Sequence, residues 1–362
     1  MSGRSLALAA ALVAVAVWGS SCSTPPAPAA VASVRACFGA TPSNWADRFA
    51  AHLTTLPSGM TFGLNAIADD TAFGQFDAPT GDGIGALDLS TGRLTEIERF
   101  GANVGGVGAM AVQSPWVVWE QLDSNTDLSA WSIHAVNTRT GHQQVVATSD
   151  SARGAQPLPV IANGTVAWAQ PVTARGGYNQ AEIRVRDLIT GRERTLAAGR
   201  VSSPVYAGPY LIWAVINAAG GYGFQAVDAH TLRSVVLPAT LHPSAPIGYL
   251  AGSPGYFAWS SQDNVTATVW RIGAAQTSTF IQDGQHPFQF LELVGHYLLW
   301  YTGTDSAVLD VTTGKGFDLP GTVAGSSNWI ATAKPVDQPS GAVTSSVARI
   351  ATPTAPAVTR CA

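Results

Sequence analysis

The sequence predicts an all-β fold, a β-propeller of four-stranded blades, with seven blades by count of its repeats, six as the alternative, and one short N-terminal helix. Three observations carry this. An apolar strand ending in tryptophan recurs at intervals of 41 to 49 residues. A turn stands just before each copy. A second motif, Asp-x-x-Thr-Gly or a relic of it, marks a corner further along most repeats.

The chain opens on a targeting pattern. Arg4 supplies a positive charge, and Leu6 to Val17 form an unbroken apolar run. Ser20-Ser21-Cys22 then resembles a lipobox, in which a small residue precedes a cysteine that becomes lipid-modified. Gly19 departs from that pattern, where an aliphatic residue is usual. Residues 1–22 therefore read as a lipoprotein-type signal peptide with Cys22 as the lipid-attachment site. Ordinary cleavage near Ala30 or Ala32 is the alternative. Residues 23–36, beginning Ser-Thr-Pro-Pro-Ala-Pro, read as a stiff Pro/Ala tether. Residues 37–57 read as a segment with one helix over about 42–54. Pro42 suits its first turn, and Trp45, Phe49 and Leu53 recur every four residues as a stripe that docks on the propeller.

Residues 58–361 carry the repeat. Its first signature reads Trp116-Val-Val-Trp119, Thr165-Val-Ala-Trp168, Tyr210-Leu-Ile-Trp213, Tyr256-Phe-Ala-Trp259 and Tyr297-Leu-Leu-Trp300. The second reads Asp88-Leu-Ser-Thr-Gly92, Asn137-Thr-Arg-Thr-Gly141, Asp187-Leu-Ile-Thr-Gly191, Asp228-Ala-His-Thr231 and Asp310-Val-Thr-Thr-Gly314. An Asp or Asn side chain bonds backbone two residues on and Gly supplies a positive φ, so each copy is a strand–turn–strand corner. In residues 156–199 the four strands fall at 157–162, 165–170, 182–187 and 194–198. Such a unit cannot cover both its faces alone; units stacked radially cover one another, with the tryptophans between blades. The units fall near 58–100, 103–149, 156–199, 201–239, 245–283, 287–321 and 322–361. The first lacks the tryptophan, with Phe73 and Phe76 in its place. On this count the ring needs no exchange of strands between its ends.

The three cysteines are Cys22, Cys37 and Cys361. With lipid on Cys22, the other two are free to pair. They stand at the two ends of the folded part, so a Cys37–Cys361 bond requires the termini to meet, as a ring makes them do. Closing so long a loop contributes at most about 5 kcal/mol. Two unpaired buried thiols are the alternative.

These features resemble the seven-bladed propeller class, and within it the WD40-like and TolB-like exported propellers. The resemblance covers about residues 58 to 361. The Gly-His and Trp-Asp dipeptides of WD40 repeats are absent, so no family's functional residues carry over.

Function has to be sought in the loops. Naming the strands of each blade a to d from the axis outward, the a–b and c–d connections read as tight, and the b–c and d–a connections as long. Both long classes emerge on one face, where binding is expected. That face would present Asp123, Asp127, Arg175, Tyr178, Tyr222, Asp263 and Asp305. Tyr178 and Tyr222 each follow a Gly-Gly pair, and either present rings to a sugar or peptide or pack back on their blades. Asp123-Ser-Asn125-Thr-Asp127 has the spacing that opens many calcium loops, but Leu128 stands where Gly is wanted and no Glu closes the loop. No cofactor is expected. A net charge of −4 without a basic stripe gives nucleic acid no footprint. The seven histidines are scattered and no nucleophile elbow or phosphate loop occurs. The leading reading is an envelope-anchored binding or scaffold module for a protein, peptide or glycan. The alternatives are an enzyme (lyase, lactonase or glycan hydrolase) at the channel mouth, and an accessory lipoprotein of a transporter or sensor complex.

Overall fold

The computed structural model describes residues 33–356, apart from 102–103, 125–128, 150–155, 173–179, 244, 304, 327 and 339–342. An N-terminal stretch comes first: β1 (Ser33–Arg35), β2 (Cys37–Gly39), α1 (Ser43–Ala51) and β3 (Leu53–Thr55). Blade 1 follows as β4 (Thr61–Ala68), β5 (Thr71–Ala78), β6 (Gly81–Asp88) and β7 (Leu94–Arg99). Blade 2 is β8 (Gly106–Gln113), β9 (Trp116–Leu122), β10 (Trp131–Asn137) and β11 (Gln143–Thr148). Blade 3 is β12 (Val160–Ala162), β13 (Thr165–Pro171), β14 (Ala181–Asp187) and β15 (Glu193–Gly199). Blade 4 is β16 (Val205–Ala207), β17 (Tyr210–Ile216), β18 (Tyr222–Asp228) and β19 (Ser234–Val235). Blade 5 is β20 (Ile247–Gly252), β21 (Tyr256–Ser261), β22 (Thr266–Arg271) and β23 (Thr277–Ile281). Blade 6 is β24 (Glu292–Val294), β25 (Tyr297–Tyr301), β26 (Ser306–Asp310) and β27 (Lys315–Leu319). Blade 7 holds β28 (Thr322–Gly325), β29 (Trp329–Asp337) and β30 (Val343–Ala351).

Each blade is an antiparallel meander. The first strand of every blade touches the first strand of the next, and β28 returns to β4, so the ring closes at seven. The tryptophans sit where the repeat predicts. Trp119, Trp168, Trp213, Trp259 and Trp300 are all buried, each packed into the core shared with the preceding blade. Burying so large a side chain contributes about 3 kcal/mol, which is why this position dominates the repeat.

Three expectations are corrected. The ring does exchange strands: β3 pairs antiparallel with β30 and supplies the outer strand of blade 7. Without it the edge of β30 would lie open. Ser33–Arg35, read as the end of the tether, is a strand added parallel to β23 on the rim of blade 5, and β2 adds in the same way to β27 of blade 6. The helix ends at Ala51, so Leu53 leaves its stripe and stands half exposed in β3. Trp45 and Phe49 do dock: the Trp45 ring lies 4.7 Å from Phe317 and 5.5 Å from Tyr297, and its Nε1 donates to Pro356 O at 2.8 Å. Residues 33–55 thus form a belt over the rims of blades 5, 6 and 7.

Candidate functional site

The face bearing the a–b and c–d turns is closed by its own chemistry. Asp187 accepts the N–H groups of Ile189 and Thr190 at 2.9 and 2.7 Å, and Asp228 those of His230 and Thr231 at 3.1 and 2.7 Å. Asp88 does the same for Ser90 and Thr91. The Ser90 hydroxyl and these N–H groups pull the Asp88 carboxyl down to about 2. Gly92, Gly141, Gly191 and Gly314 hold the αL position that ends each corner, at φ 69 to 73°. Leu232 takes that place in blade 4 at φ 56°.

The opposite face is less uniformly elaborated than expected. Its b–c loops are long in blades 2 and 3 (123–130 and 172–180). In blades 4 to 6 (217–221, 262–265 and 302–305) they are no longer than the c–d corners, and blade 1 has only 79–80. The d–a links 149–159, 236–246 and 282–291 carry the rest of the elaboration.

Three of the sequence-predicted carboxylates are taken up by bonds within the fold. Asp263 accepts Ser261 Oγ at 2.5 Å and Val265 N at 3.1 Å, and these bonds hold its carboxyl below the usual range. Asp305 accepts Gly321 N at 3.1 Å, tying a b–c turn to the next link. Ser132 Oγ reaches Asp123 at 3.4 Å. Asn125, Asp127, Arg175 and Tyr178 lie outside the described residues, and the calcium candidate with them. Among the described residues no group of three His, Cys, Asp or Glu side chains is placed to hold a metal ion; His286 is instead gripped between Asp283 at Nδ1 and Asp318 at Nε2, each at 2.8 Å.

Tyr222 is placed differently. It lines a cavity of about 220 Å³ at the junction of blades 3 and 4, with Pro171, Gln180, Arg200, Ser202 and Ile247. Pro171 and Gln180 flank the loop that contains Arg175 and Tyr178. The wall is largely apolar, with one guanidinium and one phenol at hand. Further round the same face Phe290 is 60% exposed, at φ 48°, its ring 4.8 Å from that of Tyr249. A left-handed conformation costs a non-Gly residue about 1–2 kcal/mol. Arg200, Phe290 and Tyr249 escaped the reading of the sequence. The signal available for Phe290 was a second phenylalanine, two residues after Phe288, in the mostly polar link 282–290.

Two carboxyl groups were missed altogether. Glu120 follows Trp119 and has no exposed surface; it faces Gly108, where β8 bulges. Ser260 holds the same place in blade 5, and its Oγ accepts Tyr249 N at 2.9 Å beside the bulge in β20. Burial pushes Glu120 up to about 7, opposed by the Leu158 N–H and the Gln156 amide. Glu292, on β24, is pushed up to about 8 by burial, opposed by the Gly325 N–H that it accepts at 3.0 Å. Both have the proton affinity of an acid–base group, but Glu120 is walled off from any substrate.

No family model matches the sequence, and no curated protein does. Solved structures do match in fold. An oligogalacturonate lyase from Vibrio parahaemolyticus aligns with a TM-score of 0.53 at 10% identity, over 82% of this chain and 90% of that one. A prolyl endopeptidase aligns at 0.51 and 13%, over 81% of this chain and 46% of that one. TolB from Acinetobacter baumannii aligns at 0.47 and 12%, over 74% of this chain and 65% of that one. This protein is a seven-bladed β-propeller, and at these identities the likeness extends to the fold alone.

Proposed function

We propose that this propeller is a binding module, held outside the cytoplasmic membrane by lipid on Cys22, that takes a protein, peptide or glycan on its b–c and d–a face. The observation that carries the reading is the Tyr222–Arg200 cavity on that face, set against a facing surface whose corner carboxylates bond their own turns. An apolar recess with a few convergent polar groups is the usual form of a binding site. The test is a glycan and peptide array screened with the mature protein. Binding should fall at least tenfold with Arg200→Ala and Tyr222→Ala, and should persist with Thr138→Ala on the opposite face. Equal loss in all three, or in none, would refute it.

The anchor rests on the lipobox pattern of Ser20-Ser21-Cys22. The Cys37–Cys361 bond is supported by Trp45 holding Pro356, which brings the C-terminal end of the described chain to the N-terminal belt. Among the described residues no helix is long and apolar enough to cross a membrane. Peptide mapping by mass spectrometry, on protein taken from native membranes without reduction, should find diacylglyceryl on Cys22 and one peptide linking Cys37 to Cys361. An unmodified N-terminus near residue 31 would exclude the anchor. The enzymatic alternative would have to draw on the buried Glu120 or Glu292, and for Glu120, which has no exposed surface, it needs a movement that exposes it.

A further inference from the structure

Blade 4 differs from its neighbours at the rim. Its third strand runs from Tyr222 to Asp228, but β19 covers only part of it, pairing Val235 with Ala226 and Ser234 with Val227. In blades 2, 3 and 5 the fourth strand follows the third to Ser132, Ala181 and Thr266. The early departure has a cause in sequence: Pro238 lacks the N–H that would continue a ladder, and the chain leaves the sheet at Val236.

Which backbone groups this uncovers follows from the alternation of an antiparallel sheet. Asp228 donates its N–H outward, to Arg233 O at 2.9 Å. Gly221 accepts inward, from Asn217 N at 2.9 Å. Tyr222 and Phe224 therefore turn N–H and C=O to the rim, in step with Ala226 and Asp228. Neither has a backbone partner on that side among the described residues.

Beside this open edge lies a cavity of about 410 Å³, bounded by β18 and the chain after β19. Trp213, Phe224, Leu237 and Leu241 line it together with the polar Gln225, Ser234 and His242, and Val236 on its border is 99% exposed. It shares no lining residue with the Arg200 cavity. Proteins shield open edges with charged side chains, proline or bulges; Tyr222-Gly-Phe-Gln225 has none of these. The neighbouring edges show what such a rim accepts. Blades 5 and 6 each take an added strand, β1 and β2, and blade 7 takes β3. Blade 4 is the next edge round the ring, continuous with that covered rim.

We propose that the rim of blade 4 is a strand-addition site for an extended segment of another protein, uncharged and with apolar side chains at alternate positions. The backbone groups of Tyr222 and Phe224 bind its main chain, over about 13 Å of edge. The cavity takes the side chains on one face of the segment. Charge is disfavoured there because no Asp, Glu, Lys or Arg lines the cavity to offset desolvation.

The probe is a displayed library of random heptapeptides, selected on the mature protein and then measured singly by fluorescence polarisation. The expected peptides are uncharged and alternating. Val236→Asp should weaken them at least tenfold while Arg200→Ala leaves them unchanged, which separates this site from the loop-face cavity. Methylating amide nitrogens one at a time should abolish binding at alternate positions only. Amide hydrogen exchange at Tyr222 and Phe224 should slow on binding. The proposal is overturned if no peptide is enriched, if Val236→Asp binds as well as wild type, or if methylation is tolerated throughout. It is overturned equally if peptides bind only after residues 23–32 are deleted, since the chain would then fill its own edge.

Discussion

The corner carboxylates and the wall carboxyls of this ring are the same chemical group in opposite settings. Asp187 and Asp228 stand at the surface, each accepting two backbone N–H groups, and those bonds hold them below the usual range. Glu120 and Glu292 are enclosed against the neighbouring blade, Glu120 by Gln156 and Leu158 and Glu292 by the Gly325 N–H, and burial pushes them to about 7 and about 8. The corners gain from being ionised, since charge strengthens the bonds that make the turn. The wall gains from being neutral, since water is gone and few donors replace it. One set therefore shapes a surface at any physiological pH. The other makes the interior sensitive to alkali.

The largest effect expected from this contrast is a pH dependence of opposite sign in the two sets. A corner Asp has a folded value below its unfolded one, so its stabilisation is present above about pH 4 and is lost as acid approaches the folded value, about 2 for Asp88. A wall Glu has a folded value above its unfolded one. Its contribution is complete below about pH 4.5 and is lost as the pH rises through 7 for Glu120 and 8 for Glu292. Stability should therefore peak near pH 5 and decline towards pH 8.5. Glu292→Gln keeps an acceptor for the Gly325 N–H and removes the titration. It should match wild type at pH 4.5 and exceed it at pH 8.5 by on the order of 3 kcal/mol in urea unfolding. A loss of equal size at both values would show that the carboxyl matters for packing alone.

The same contrast explains what the sequence discloses. A corner is local: Asp187, Thr190 and Gly191 complete their bonds within five residues, so the motif is visible as a string. The tryptophans are visible because each blade needs one in the same place. Glu120 is a single charge after Val-Val-Trp, and its setting comes from Gly108 on β8 and Gln156 in the link before β12. The Tyr222 cavity draws on blades 3, 4 and 5, so only Tyr222, beside a Gly-Gly pair, could be picked out. Ring closure depends on Leu53-Thr-Thr55, too short to carry a periodic pattern, meeting β30 nearly three hundred residues later in the chain. What depends on a ring rather than a repeat is silent in one dimension.

The smallest effects test the corners themselves. Gly191 and Gly314 share the αL position at φ 69° and 73°, but a Cβ at Gly191 would meet nothing within 4 Å, and one at Gly314 would lie 3.1 Å from Val34 Cγ1. Gly191→Ala should cost the backbone term alone, about 1 kcal/mol. Leu232, at φ 56° in the equivalent corner, shows that the fold tolerates such a side chain. Gly314→Ala meets the same backbone cost and must also displace the belt strand β1, so its unfolding midpoint should fall further. Hydrogen exchange at Val34 and Arg35 should quicken in Gly314→Ala and stay as in wild type in Gly191→Ala. Equal stability loss with no change at β1 would mean that β1 gives way freely, and that the belt is held by Trp45 and Phe49 on blades 6 and 7 instead.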